Sequence, residues 1–174
     1  MTKTEENLQA AFAGESMARN KYQFYAKVAR KEGFHYIAKL FDETAENEMR
    51  HAKDEYTMLH GTHDTAANLK AAMEGEHYEV TEMYATFAKE AEAEGNREAA
   101  LLFKMIAKVE AHHRDRFQKL LEMVENGTVF KRETPIKWKC GVCGYIHVGK
   151  EPPAVCPCCK HPREHFEPAD LETL

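Results

Sequence analysis

Residues 26–51 read AKVARKEGFHYIAKLFDETAENEMRH, and residues 88–113 read AKEAEAEGNREAALLFKMIAKVEAHH; at this offset of 62, 11 of 26 positions are identical. The identities include Glu32-Gly33 with Glu94-Gly95, Leu40-Phe41 with Leu102-Phe103, Glu48 with Glu110, and His51 with His113. Upstream, Ala10-Ala11-x-x-Gly14-Glu15 matches Ala71-Ala72-x-x-Gly75-Glu76 with one residue of slip. A glycine between two runs of good helix formers reads as helix, turn, helix. The chain therefore reads as one helical hairpin used twice.

The helical reading extends outward from this repeat. Residues 4–126 contain no proline, and Gly33, Gly61, Gly95 and Gly127 divide them into four segments rich in Ala, Glu, Lys, Leu and Met. Each segment carries an apolar stripe at helical spacing: Phe12, Tyr22 and Ala29; Ile37, Phe41, Ala45 and Ala52; Met73, Val80 and Phe87; Phe103, Ile106, Phe117 and Leu121. Four amphipathic helices of similar length predict a mainly α four-helix bundle.

After Gly127 the style changes. All five cysteines lie between Cys140 and Cys159, and short β-compatible pieces surround Trp138-Lys139 and Tyr145-Ile146-His147-Val148. Residues 1–134 hold 19 Lys+Arg against 24 Asp+Glu, whereas residues 135–174 hold 5 of each. We expect a helical domain over 1–134, a linker at about 127–136, and a second domain over 135–174. A segment this short rarely folds on its core alone and needs a staple.

With 174 residues, 43% hydrophobic, 30% charged and a mean hydropathy of −0.64, the composition is globular. No run approaches the ~18 apolar residues of a membrane span. The acidic balance, with a pI near 6.1, argues against a nucleic-acid surface. The first residues have neither the basic nor the apolar region of a secretory signal, so the expected address is cytoplasmic.

Most glutamates on a helix are solvated, and Glu-x-x-His also occurs at Glu32/His35 and Glu74/His77. Helical phase separates the interesting ones. Glu15, Glu48, His51, Glu76, Glu79, Glu110 and His113 interrupt the apolar stripes and so are expected to point inward. Glu15 lies 18 residues before Gly33 and Glu48 15 after it; Glu79 lies 16 before Gly95 and Glu110 15 after. The ligands of each antiparallel hairpin therefore meet at about one level. Five inward carboxylates repel one another unless cations compensate or protons bind. Oxygen donors with a minority of imidazoles suit two iron or manganese ions, and a Glu from each of two helices plus Glu-x-x-His from each of two others is the general di-iron carboxylate pattern. A metal-free ion-pair network is the bland alternative, but the stripes carry no matching Lys or Arg.

The second constellation is Cys140-x-x-Cys143 and Cys156-x-x-Cys159, the spacing of a four-thiolate metal site built from two knuckles. These residues alone suit zinc and iron equally. Cys158 falls outside the register and reads as a spare thiol.

Together these features resemble rubrerythrin over essentially the whole chain. The tokens are Gly14-Glu15-Ser-x-Ala-x-x-Lys-Tyr22, Glu48-x-x-His51, Gly75-Glu76-x-x-Glu79-x-x-x-x-Tyr84, Glu110-x-x-His113, and a rubredoxin-like tail, Cys-Gly-Val-Cys-Gly-Tyr … Cys-Pro-x-Cys-x-His-Pro. The second glutamate, Glu79, is the most specific. The resemblance implies a ferritin-like bundle followed by a small rubredoxin-like β domain. It implies two irons bridged by Glu48 and Glu110, with Glu15 on the first and Glu76 and His113 on the second. Glu79 and His51 would be alternative ligands of the first iron, in the oxidised and reduced states respectively. Tyr22 and Tyr84 match tyrosines that hydrogen-bond the ligand carboxylates, although ordinary core tyrosines would look the same. The tail would hold one iron on Cys140, Cys143, Cys156 and Cys159, with zinc possible in either site as prepared.

The activity so implied is reduction of hydrogen peroxide to water, with electrons from an upstream donor protein such as rubredoxin or its reductase. Oxidation and storage of ferrous iron, as in ferritins, is the alternative, and a zinc-ribbon interaction module a third. In ferritin-like bundles the second and third helices run parallel. A helix over 35–60 is roughly 39 Å long, whereas a connector at 61–67 reaches at most ~25 Å. Either the bundle is up-down-up-down, or hairpins are exchanged between two chains in a swapped homodimer, the arrangement we favour because it keeps the family's ligand geometry.

Overall fold

The computed structural model describes residues 1–61 and 63–171; Thr62, inside the expected connector, and residues 172–174, at the end of the expected second domain, lie outside the described residues. Two compact units are present, Met1–His63 and Asp64–Leu174. The chain is mainly helical with a small C-terminal antiparallel sheet, as the sequence predicts.

The first unit is a hairpin of α1 (Lys3–Lys31) and α2 (His35–His60). Thr2 opens α1 with a capping box: its hydroxyl accepts from the Glu5 N–H, and the Glu5 carboxylate accepts from the Thr2 N–H. Gly33, at φ 87°, turns the chain, and the Phe34 N–H donates to the Ala29 carbonyl over 2.8 Å. The second unit repeats the plan. Asp64 caps α3 (Thr65–Tyr78), a π-helical turn follows at Glu79–Met83, then α4 (Tyr84–Ala93), the turn at Gly95 (φ 77°), and α5 (Arg97–Glu125). There the Asn96 N–H bonds the Ala91 carbonyl, also over 2.8 Å.

Both hairpins close on a seam of alanines. Ala26, Ala29 and Ala38 are buried in the first, and their repeat partners Ala88, Ala91 and Ala100 in the second. Small side chains let the two backbones approach closely, but they leave the large apolar residues outside. Tyr25 and Leu40 remain 46% and 44% exposed, and their repeat partners Phe87 and Leu102 39% and 55%. Each hairpin leaves much of its large apolar surface uncovered within its own unit. One interhelical ion pair is also repeated, with its polarity reversed: Arg30 with Asp42 in the first hairpin, Glu92 with Lys104 in the second.

The expected third helix is not continuous. The π turn replaces α geometry at Glu79–Met83, and the reason is in the repeat. Between Glu76 and Ala88 there is one residue more than between Glu15 and Ala26. One extra residue in a helix that must keep register at both ends is absorbed as a π bulge.

In the C-terminal segment, β1 (Ile136–Cys140) pairs antiparallel with β2 (Ile146–Gly149) and with β3 (Phe166–Pro168), giving the order β2-β1-β3; a 3₁₀ turn at Arg163–His165 leads into β3. Only the first two strands were legible in the sequence; β3 is three residues long, and its one buried side chain, Phe166, shows no period. Trp138, Cys140, Cys156 and Phe166 form the small core. The linker is anchored, since the Arg132 N–H donates to the Lys150 carbonyl and its guanidinium lies 5.3 Å from the Trp138 ring centre.

Candidate metal centres

Within the first hairpin, Glu15 from α1 and Glu48 and His51 from α2 bring one ligand atom each within 4.8 Å of one another. His51 Nδ1 is 2.9 Å from Glu48 Oε2 and 3.6 Å from Glu15 Oε2. The second hairpin brings together Glu76 from α3 and Glu110 and His113 from α5 in the same way. His113 Nδ1 is 2.6 Å from Glu110 Oε2 and 3.9 Å from Glu76 Oε1. The two sets are repeat equivalents, so the fold builds one three-ligand half-site twice.

A hydrogen bond between Glu15 and Glu48 raises the Glu15 pKa and lowers that of Glu48. The bond to Glu48 raises His51 above its ordinary value. Burial, then the Glu110 charge, raises Glu76. Two carboxyls whose proton affinity is raised in this way are groups a divalent ion would satisfy, and the donor set of oxygens with one imidazole per hairpin fits iron.

The inward burial expected of the ligands is only partly reached inside each hairpin: His51 is 58% exposed and His113 38%, and no polar residue is buried among the described residues. Glu79 sits at the first residue of the π turn and outside the close Glu76–Glu110–His113 group, although its charge acts on Glu76 and Tyr84. Burial raises Tyr84 first, then the charges of Glu79, Glu110 and Glu76, which places the phenol beside the carboxylates. Tyr22 stacks with Tyr25 and Phe41. Neither hydroxyl donates to a carboxylate among the described residues. Sequence reasoning missed Glu55, whose charge also acts on Glu15; its spacing of four from His51 was the available signal.

The four cysteines Cys140, Cys143, Cys156 and Cys159 converge within 4.8 Å, with Cys140–Cys159 and Cys143–Cys156 Sγ separations of 3.7 Å. The two knuckles share one turn: the Gly144 N–H returns to the Cys140 carbonyl and the Lys160 N–H to the Cys156 carbonyl, with φ of 76° and 64° at these residues. At Cys143 the Tyr145 N–H lowers the thiol pKa, but burial and the three crowding thiols outweigh it and push it up to about 12. At Cys156 burial is opposed by the Cys159 and Cys158 N–H groups and neighbouring thiols, which bring it to about 7. One thiolate is therefore ready near neutral pH, and a metal ion displaces the remaining protons. Cys158 is exposed and outside the cluster.

The sequence profile described as Rubrerythrin matches residues 6–121, and that of the rubrerythrin rubredoxin-like domain matches residues 138–167. The chain belongs to the rubrerythrin family. It is 47% identical to a putative rubrerythrin of Methanocaldococcus jannaschii, over 96% of this chain and 93% of that protein. Rubrerythrin of Porphyromonas gingivalis is likewise 47% identical (96% and 90% covered), and that of Nitratidesulfovibrio vulgaris 44% (95% and 94%). Among solved structures, fully reduced, all-ferrous nigerythrin matches at 32% identity over 97% of this chain and 87% of that one, with a TM-score of 0.38. As a rubrerythrin-family chain it carries a di-iron carboxylate site and a four-cysteine rubredoxin-like site, and the described residues hold two Glu/His groups and one four-cysteine cluster. No helix is long and apolar enough to cross a membrane among the described residues.

Proposed function

We propose that this chain is a cytoplasmic non-haem iron peroxidase that reduces hydrogen peroxide to water. Its di-iron carboxylate domain spans 1–134, and electrons pass through the four-cysteine domain at 135–174. The observation that supports this most is the pairing, in one chain, of a duplicated carboxylate–imidazole half-site with a four-thiolate cluster. Iron, when bound, supplies the two electrons that O–O cleavage consumes, and the tail's iron supplies the single electrons that restore them from a donor protein such as rubredoxin or its reductase. The residues do the rest. Glu48 and Glu110 would be shared by the two ions, Glu15 would hold one of them, and Glu76 with His113 the other. Glu79 and His51 would be alternative ligands on the Glu15 side. Tyr84, held as a neutral phenol by burial and by the surrounding carboxylates, keeps a proton to donate to them.

The complete site in this reading is built by two chains. The connector between α2 and α3 covers only residues 61–64, since α2 ends at His60 and α3 begins at Thr65. It reaches at most ~14 Å, against roughly 39 Å for the 26-residue α2. That excludes parallel second and third helices within one chain and leaves an up-down-up-down bundle or an exchange; in this reading the first hairpin of one chain meets the second hairpin of its partner, which would cover the exposed apolar faces around Tyr25, Leu40, Phe87 and Leu102. A monomer with a full di-iron complement, seen by sedimentation with metal analysis, would refute the exchange.

The peroxidase reading is tested anaerobically with fully reduced protein, following the visible band of the ferric tetrathiolate. Peroxide is expected to restore that band faster than dioxygen does. Equal rates, or a faster reaction with dioxygen, would remove the reading.

A further inference from the structure

Glu55 follows His51 by four residues and Glu48 by seven on α2, so the three side chains share one helix face. Its Oε2 is sealed from solvent and has no hydrogen-bond partner. It also forms no ion pair among the described residues. Its repeat equivalent is Phe117, so the second hairpin has no counterpart at that position. Nor does the ligand face of that hairpin hold any other orphaned carboxylate oxygen among the described residues.

A buried acceptor with no donor is costly, more so when it carries charge. On this face Glu55 is accompanied by the Glu48 carboxylate and by an imidazole already engaged with it. Its negative charge reaches Glu15 across the helix pair. No ion pair among the described residues offsets that charge, whereas a cation held by Glu15, Glu48 and His51 would.

We infer that Glu55 is a fourth group of the Glu15–Glu48–His51 half-site, and that it makes this half-site the one that takes up the first divalent ion. The inference rests on the di-metal reading above. Glu55 acts as a positioning residue through charge, and the second hairpin, with Phe117 in its place, fills later.

The test is calorimetric titration with cobalt(II) of the full-length protein, its tail iron in place and its carboxylate site stripped, comparing wild type with Glu55→Gln. The variant keeps the side chain's shape. The first binding step is expected to weaken about ten-fold, the scale of one charge acting across a helical turn, while the second is unchanged. The metal-free variant is expected to melt at or above the wild-type temperature, since a solvent-sealed carboxylate oxygen without a partner has gone. An unaltered first step, equal weakening of both steps, or a lower melting temperature would each overturn the inference. A wild type that takes up no pair of ions would instead overturn the di-metal reading.

Discussion

The two hairpins share a turn glycine, an alanine seam and the same three-residue cluster, yet three of their differences bear on that common plan. The second has one extra residue, taken up as a π turn that begins at Glu79. The first has Glu55 where the second has Phe117, and the Arg30–Asp42 ion pair becomes Glu92–Lys104. Duplication thus supplies a symmetric ligand set cheaply, while single-residue changes make the halves unequal. An insertion into a helix re-aims every side chain on one side of it, so it adds a carboxylate at a new angle without disturbing Glu76 or Tyr84.

Removing the insertion should break the comparison most severely. Deletion of Val80 is expected to restore a continuous α helix and displace Glu79 from its angle. Peroxide turnover should fall by about 100-fold or more, the scale of losing a positioned ligand, with helical content by circular dichroism retained. If turnover survives, the π turn is incidental.

Removing metal from the tail should separate the helical and thiolate regions. The core of the β domain is little more than Trp138, Cys140, Cys156 and Phe166, so chelation should unfold residues 136–168. Trp138 is the chain's single tryptophan and is fully buried. Its emission should therefore shift to the red while the helical signal persists; an unshifted emission would show that the domain folds without metal.

Acid should weaken metal binding at both half-sites. Glu15, Glu76 and His51 have raised proton affinities in the metal-free protein. Their protonated forms stabilise that protein below the ordinary pKa values, and this contribution is lost as pH rises through the raised ones. Cobalt(II) affinity is expected to increase with pH from about 5 to 8, with metal-free stability moving in the opposite direction. A flat affinity profile would show that protons and metal do not compete.

The smallest effect concerns the inverted ion pair. Exchanging its polarity in the first hairpin, with Arg30→Glu and Asp42→Lys together, should change stability by less than about 1 kcal/mol, because all four side chains are about half exposed. Either single change should cost more than the double, as a double-mutant cycle in chemical denaturation would show.

Much of this protein is local and therefore written in its sequence. The turns at Gly33 and Gly95 need a positive φ, the alanine seam needs a 3.6-residue period, and Glu-x-x-His places two ligands on one face. The knuckle spacing brings four thiols together whatever surrounds them. These features follow from backbone geometry over a few residues. The one-residue slip was visible too, but whether it would appear as a loop, a kink or a π turn depended on helices on both sides having to hold register. Only the tertiary structure decided that, along with the sealing of one Glu55 oxygen, the third strand at Phe166–Pro168, and the half-exposure of the ligands. Each depends on what a partner element covers, and covering is a property of packing rather than of spacing.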